Sequence, residues 1–282
     1  MVRIITDSAS DFSSEDAKRL GISAVLPLTV QIGDTTYNDG VDINPSEFYE
    51  KLIESDELPT TSQIPPYVFE EEFNMVAAAG DTAVVVLISS ELSGTYQSAC
   101  VAAAEYDCIY VVDSHNVSIG EQCLTEYAIR LRDEGKSAAE IAAELDAIKE
   151  DITVLALLDT LEYLKKGGRI SATTAFVGGV LAIKPVITIR EGKVEMLGKA
   201  RGSKNGNNLL RELVDKVGGA DYSMPVYLGY SGIDRTLLNK YIEDSRVLWD
   251  EYARELKVTN IGPTIGTHIG PGAIGVSFFK KG

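Results

Sequence analysis

Residues 2–6, 83–88 and 109–113 are short runs rich in Val, Ile and other β-formers, and each is followed by apolar residues at helical spacing, over 14–20, 93–104 and 118–134. This strand-helix alternation predicts a mostly parallel sheet covered by helices. The run Thr82-Ala83-Val84-Val85-Val86-Leu87-Ile88 is apolar at nearly every position. Both of its faces must then be buried, as in a central parallel strand. Residues 45–55 and 65–79 each open on proline and carry apolar residues at helical spacing, which predicts two further helices.

After a charged helix ending near Glu150, the pattern changes. Residues 152–158 read as a strand, and residues 184–197 as two strands joined by a Glu191-Gly192 turn. A short strand over 226–229, a long helix from about Asp234 to Leu256 and two closing strands around a glycine-rich run complete the chain. The predicted fold class is α/β in two domains. Residues 1–152 form a Rossmann-like domain with a mostly parallel sheet, and residues 153–282 an α+β domain with a mixed or antiparallel sheet. No internal repeat or low-complexity segment interrupts them.

The totals narrow the function. A chain of 282 residues, 45% of them hydrophobic, can bury the cores of two domains. Its formal net charge of -16 opposes binding to a nucleic-acid backbone or an anionic bilayer surface. No run approaches the roughly 20 apolar residues of a membrane span. Residues 1–7 read as a strand entering a turn rather than a secretory leader, so a cytoplasmic location is expected. Cys100, Cys108 and Cys123 are odd in number and lack Cys-x-x-Cys spacing, which points to buried thiols rather than disulfides or a zinc site.

Candidate chemistry gathers in a few segments. One of the two histidines, His268, sits in the run from Thr264 to Gly275 among glycine, proline and small residues, where the backbone can turn sharply and an imidazole can donate to an anion. Ser89-Ser90-Glu91-Leu92-Ser93-Gly94-Thr95 follows the apolar strand and opens a helix, so hydroxyls and free N–H groups converge there; Ser93 serves either as a cap or as an anion ligand. The segment lacks both the Gly-Lys-Ser/Thr ending of a P-loop and a Gly-x-Ser-x-Gly elbow. Thr60-Thr61-Ser62-Gln63 reads as a loop that caps the following helix or reaches a bound acid. Lys165, Lys166 and Arg169, with Lys199 and Arg201, form the local basic positions of an acidic chain, suited to a helix C-cap or to a phosphate or partner surface. Asp7, Asp11 and Asp113-Ser114-His115 read as turn formers, with His115 a loop residue.

In this order, Thr6-Asp7-Ser8, Thr60-Thr61-Ser62-Gln63, Ser89-Ser90 with Leu92-Ser93-Gly94-Thr95-Tyr96-Gln97-Ser98, Asp113-Ser114, Gly167-Gly168-Arg169-Ile170-Ser171 and His268 with its glycines resemble the DegV family over nearly the whole chain. The sequence departs from the family pattern at Ile64, which separates Gln63 from Pro65. The resemblance implies a protein that holds one long-chain fatty acid in a tunnel at the domain interface, without a cofactor and without bond chemistry of its own. It implies that Thr61 and Ser93 bind the carboxylate, with Ser62, Gly94 and Thr95 supporting and His268 nearby. Arg169 and Arg201 are the implied basic positions that meet a partner, the ATP-dependent subunit of a fatty acid kinase, whose acyl phosphate product feeds phospholipid synthesis. Two other readings remain open: a serine hydrolase using Ser93 or Ser62 with His268 and Asp7, and a small-molecule phosphotransferase.

Overall fold

The computed structural model describes residues 1–55, 57–170, 183–249 and 256–281. The chain opens with β1 (Val2–Asp7), α1 (Ser14–Leu20), β2 (Ala24–Leu26), β3 (Thr29–Ile32), β4 (Thr35–Asn38), α2 (Pro45–Glu54) and β5 (Thr60–Ser62). Next come α3 (Pro66–Ala78), β6 (Thr82–Leu87), α4 (Thr95–Ala103), β7 (Ile109–Asp113), α5 (Ile119–Asp133) and α6 (Ala138–Ile148). The first sheet has the order β2-β1-β6-β7 and is parallel throughout. β6 lies inside it, and Ala83, Val84, Val85, Val86 and Leu87 are all fully buried, which is why its apolar residues do not alternate with polar ones.

The second half holds β8 (Ile152–Leu157), α7 (Glu162–Lys166), β9 (Ile183–Arg190), β10 (Lys193–Arg201), α8 (Ser203–Lys216), β11 (Tyr227–Tyr230), α9 (Thr236–Asp244), α10 (Arg246–Trp249), β12 (Lys257–Asn260), α11 (Pro263–Ile269) and β13 (Ile274–Phe279). Its strands form one mixed sheet in the order β10-β9-β8-β13-β11-β12, in which β11 and β12 run parallel and the other pairs antiparallel. The β9–β10 hairpin turns at Glu191 and Gly192, with φ of 48° and 76°. Two successive positive φ angles are what a tight two-residue hairpin turn requires, and glycine supplies one of them without strain. Helix α5, with eleven buried residues, packs against strands of both sheets and joins them into one body.

Three expectations need correction. Thr60–Ser62 is a strand, not a loop: it pairs with β3 in a small sheet of order β4-β3-β5, and β-branched threonines suit that pleated edge. The helix expected from Asp234 to Leu256 is broken at Ser245, whose φ of -113° and ψ of 22° end α9. α10 then turns so that Trp249 meets Tyr241 edge-on at 6.2 Å between ring centroids. Residues 250–255 lie outside the described part, as does Ser171 of the glycine-arginine motif. The glycine-rich run contains helix α11, because Pro263 presets φ at its first position and Gly270, at φ 69°, stops it. Of the cysteines, Cys123 is buried, whereas Cys100 and Cys108 are half-buried; all three are free thiols.

Candidate functional site: a polar-rimmed apolar cavity

The small sheet brings Thr61 to the end of the chain. Thr61 pairs with Val30 in the β3–β5 ladder, and its Oγ1 lies 2.9 Å from Nε2 of His268 on α11. Ser93 stands in the loop between β6 and α4. Its Oγ is 2.9 Å from Oγ1 of Thr95 and accepts from the Thr95 N–H at 3.3 Å, while Gly94 occupies the N-cap of α4. Thr95 is fully buried and also accepts from the Ile64 N–H at 3.3 Å, so it orients Ser93 and ties the β5 strand to α4. Gln63 completes the tie, donating to Ser98 Oγ at 2.9 Å. A Cβ at Gly94 would fall 2.0 Å from Gln63 Oε1, so a side chain there would displace the end of Gln63 from its place against Ser98. None of residues 60–63 caps α3, whose N-cap Pro65 receives no side-chain bond.

His268 is held by close packing. A Cβ at Gly167 would fall 2.3 Å from its Nδ1, so the turn after α7 must be glycine for the ring to sit there. Burial and the nearby Arg169 guanidinium push the His268 pKa down to about 4, so the ring is neutral near pH 7. Nδ1 is buried and has no hydrogen-bond partner among the described residues. Arg169 donates from Nε to the Leu92 carbonyl at 3.2 Å and from Nη1 to the Gly167 carbonyl at 2.6 Å, bridging the loop before α4 and the turn after α7.

The start of α11 is fixed from the other half of the chain. Asp11 accepts from the Gly262 N–H at 2.8 Å, Asp39 from the Thr264 N–H at 3.0 Å, and Tyr49 donates to the Ile261 carbonyl at 3.0 Å. These carboxylates occupy the positive end of the helix, a favourable place for negative charge. Their burial works the other way, raising Asp39 to about 6 and Asp11 well above its ordinary value.

A cavity of about 340 Å³ opens among these elements, within the usual range for a small-molecule site. Thr61, Ser62, Gln63, Ser93, Gly94, Arg169, Thr264 and His268 give it polar groups. The remaining lining is aliphatic: Leu28, Ile88, Leu92 and Val117 from the first half of the chain, and Leu164, Ile187, Ile189, Val194, Ile265 and Ile269 from the second. The structure thus brings Thr61, Ser62, Ser93, Gly94 and His268 to one cavity, with Thr95 directly behind Ser93. Arg169 lines it too, whereas Arg201 ends β10, exposed and outside the lining. Gln63, Thr264 and Gly167 lay in segments the sequence singled out, but not as site residues, and the residues of the aliphatic wall were not named from sequence.

The groups are not arranged as a hydrolytic triad. His268 faces Thr61 rather than Ser93, and the carboxylate of Asp7 accepts from the Ala9 and Ile88 N–H groups at 2.8 and 2.9 Å. Asp7 therefore serves its local turn, as its sequence context suggests. Among the described residues no cluster of His, Cys, Asp or Glu is placed to hold a metal ion, and no helix is long and apolar enough to cross a membrane.

Comparison with known proteins agrees with this architecture. A family model described as an uncharacterised protein of the DegV family matches residues 1–281. The chain belongs to the DegV family. A DegV domain-containing protein of Caldanaerobacter subterraneus is 36% identical over 284 residues, covering 99% of each chain. Among solved structures, a DegV family protein of Thermus thermophilus described by its fatty acid binding superposes with a TM-score of 0.88 at 34% identity, covering 99% of both chains. A stearic acid-binding protein of Eubacterium ventriosum superposes with a TM-score of 0.87 at 27% identity, covering 100% of this chain and 99% of that one. The fold, a parallel and a mixed sheet with helices, is that of DegV structures, and DegV structural neighbours bind fatty acids.

Proposed function

We propose that this chain binds one long-chain fatty acid in the cavity and presents its carboxylate to a partner ATP-dependent kinase, which forms the acyl phosphate. One observation carries the reading: hydroxyls, a neutral imidazole and a guanidinium meet aliphatic side chains in a single cavity. A carboxylate drawn from water needs several hydrogen bonds to offset its desolvation, and Thr61 and Ser93 are the hydroxyls that supply them. With Nε2–H of the neutral His268 donating to Thr61 Oγ1, the Thr61 O–H is free to point at the carboxylate; Ser62 and the N-terminal end of α4 at Gly94 and Thr95 add to the polar surface. The positive field of Arg169, which depresses His268, favours an anion at the same place. Each methylene buried against the aliphatic wall contributes about 0.8 kcal/mol, so a chain of many carbons binds tightly.

In this reading the chain performs no bond chemistry alone and needs no cofactor, and it works in the cytoplasm. Residues 1–152 and 153–282 act as two units with the lipid between them. Arg169 stands at the cavity and Arg201 outside it, so the two have separable roles: Arg169 touches ligand, and Arg201 belongs to the surface that meets the kinase or the new phosphate. Arg201→Ala should keep full lipid affinity while acyl phosphate formation with added kinase and ATP falls; equal loss of both would place Arg201 in the lipid site. The binding itself is tested by mass spectrometry of an organic extract of the purified protein. A stoichiometric long-chain fatty acid is expected, and protein repeatedly free of lipid that also takes up none on addition would refute the reading.

A further inference from the structure

Beyond the cavity lies a second cleft of about 330 Å³, whose lining mixes charged groups, among them Lys149, Glu150, Lys216 and Lys280, with the aliphatic Ile152, Leu197 and Val217. Among the described residues Ile189 is the one that lines both. The sheet explains its position. Leu155, Ala156 and Leu157 of β8 pair with Thr188, Ile187 and Val186 of β9, and Ile189 and Arg190 lie beyond that ladder. On the other side they remain paired, Ile189 with Val194 and Arg190 with Lys193 of β10. Ile189 therefore stands where β8 and β9 part, 8% exposed, at the seam between the aliphatic part of the cavity and a charge-rich cleft.

We infer that Ile189 is the stop that sets acyl chain length in this protein. The inference rests on the fatty-acid reading above and assigns the far end of the same cavity. The polar groups of the cavity come from β5, the loop at Ser93, the turn at Arg169 and α11, and none of these lines the cleft. Near Ile189 the cavity lining is aliphatic, with Ile187, Val117 and Val194. The methyl end of an acid anchored at Thr61 thus runs toward Ile189. A chain that ends before Ile189 is wholly surrounded by hydrocarbon. A longer one must displace the isoleucine and enter a cleft rich in charged groups of both signs, where further methylenes find aliphatic contact on only part of the wall and the charged groups lose hydration. The boundary discriminates by what lies behind it as well as by its bulk.

The test uses the full chain, stripped of lipid and offered an equimolar series of saturated fatty acids of increasing length, with bound species read by mass spectrometry. Ile189→Ala removes about three carbons from the seam and should move the preferred acid to a longer chain, by roughly two carbons; Ile189→Phe should move it to a shorter one. Ile189→Val, a smaller cut that the fold tolerates if Ala proves unstable, should shift the profile in the same direction as Ala. A wild-type protein that binds no acid at all defeats the fatty-acid reading. A wild type that binds acids, with variants that bind the same profile, overturns the assignment of Ile189 and leaves that reading standing.

Discussion

Two close approaches at the residue scale define the polar side of the cavity: Thr61 against His268, and Ser93 against Thr95. Removing either ligand hydroxyl leaves a bound carboxylate short of one partner, so Thr61→Ala and Ser93→Ala should each weaken fatty-acid binding by about 1–3 kcal/mol, measured by calorimetric titration of stripped protein. Unchanged affinity in both would remove them from the site. Gly167→Ala probes the same site from behind, because the added methyl overlaps the His268 ring. It should lower lipid affinity, whereas Gly168→Ala, next door at φ 72° with open space where a Cβ would stand, should cost stability without that selective loss. His268 stood out in the sequence as a rare histidine among glycines, whereas Thr61 and Ser93 read as either caps or anion ligands until the resemblance to the DegV family singled them out. Gly167 was visible as one of two glycines after a helix and as part of a family motif, without a role of its own. Its role depends on the ring of His268, far along the chain, which no local pattern encodes.

At the scale of elements, α11 matters most, since a seven-residue helix carries Thr264, Ile265, His268 and Ile269 to the cavity. Such a helix has little stability of its own, and it depends on Asp11, Asp39 and Tyr49 from distant parts of the chain. Tyr49→Phe keeps the ring and deletes the bond to the Ile261 carbonyl, leaving that buried group unpartnered. A loss of about 1–3 kcal/mol in unfolding free energy is expected from denaturant titration, and a neutral result would show that α11 is held without it. The parallel strands and their helices were legible because burial on both faces and helical spacing are local signals. β5 was not: three polar residues, Thr60, Thr61 and Ser62, have no apolar alternation, and their strand state comes from pairing with β3. The break at Ser245 was equally hidden, because apolar spacing continues through it while the direction changes.

For the whole molecule, buried titratable groups join the two halves and make stability depend on pH. Burial raises Asp39 to about 6, above its ordinary 3.8, so the folded state holds a proton that the unfolded chain has released. Stability from this group is full below about pH 4 and is lost as pH rises through 6. His268, depressed to about 4, acts in the opposite sense: the unfolded chain takes up a proton first, and stability falls as pH drops from about 6.5 toward 4. Asp39→Asn removes an ionisable group but keeps an acceptor for Thr264. Relative to the parent, its melting temperature should therefore be higher at pH 8 than at pH 5; a difference independent of pH would mean that Asp39 is not buried as described. The change from a parallel sheet to a mixed one was readable from the loss of strand-helix alternation in the second half of the chain. The cavity between them was not, since aliphatic residues lining a chamber and those filling a core have the same periodicity. The central claim, one fatty acid held by a polar clamp in an aliphatic chamber, is tested most directly by native mass spectrometry of stripped protein titrated with a long-chain fatty acid. A single added fatty-acid mass should appear, saturate at one per chain and be lost in the Thr61→Ala/Ser93→Ala double variant; a spectrum that stays at the mass of the bare chain, or uptake indifferent to both substitutions, would rule the clamp out.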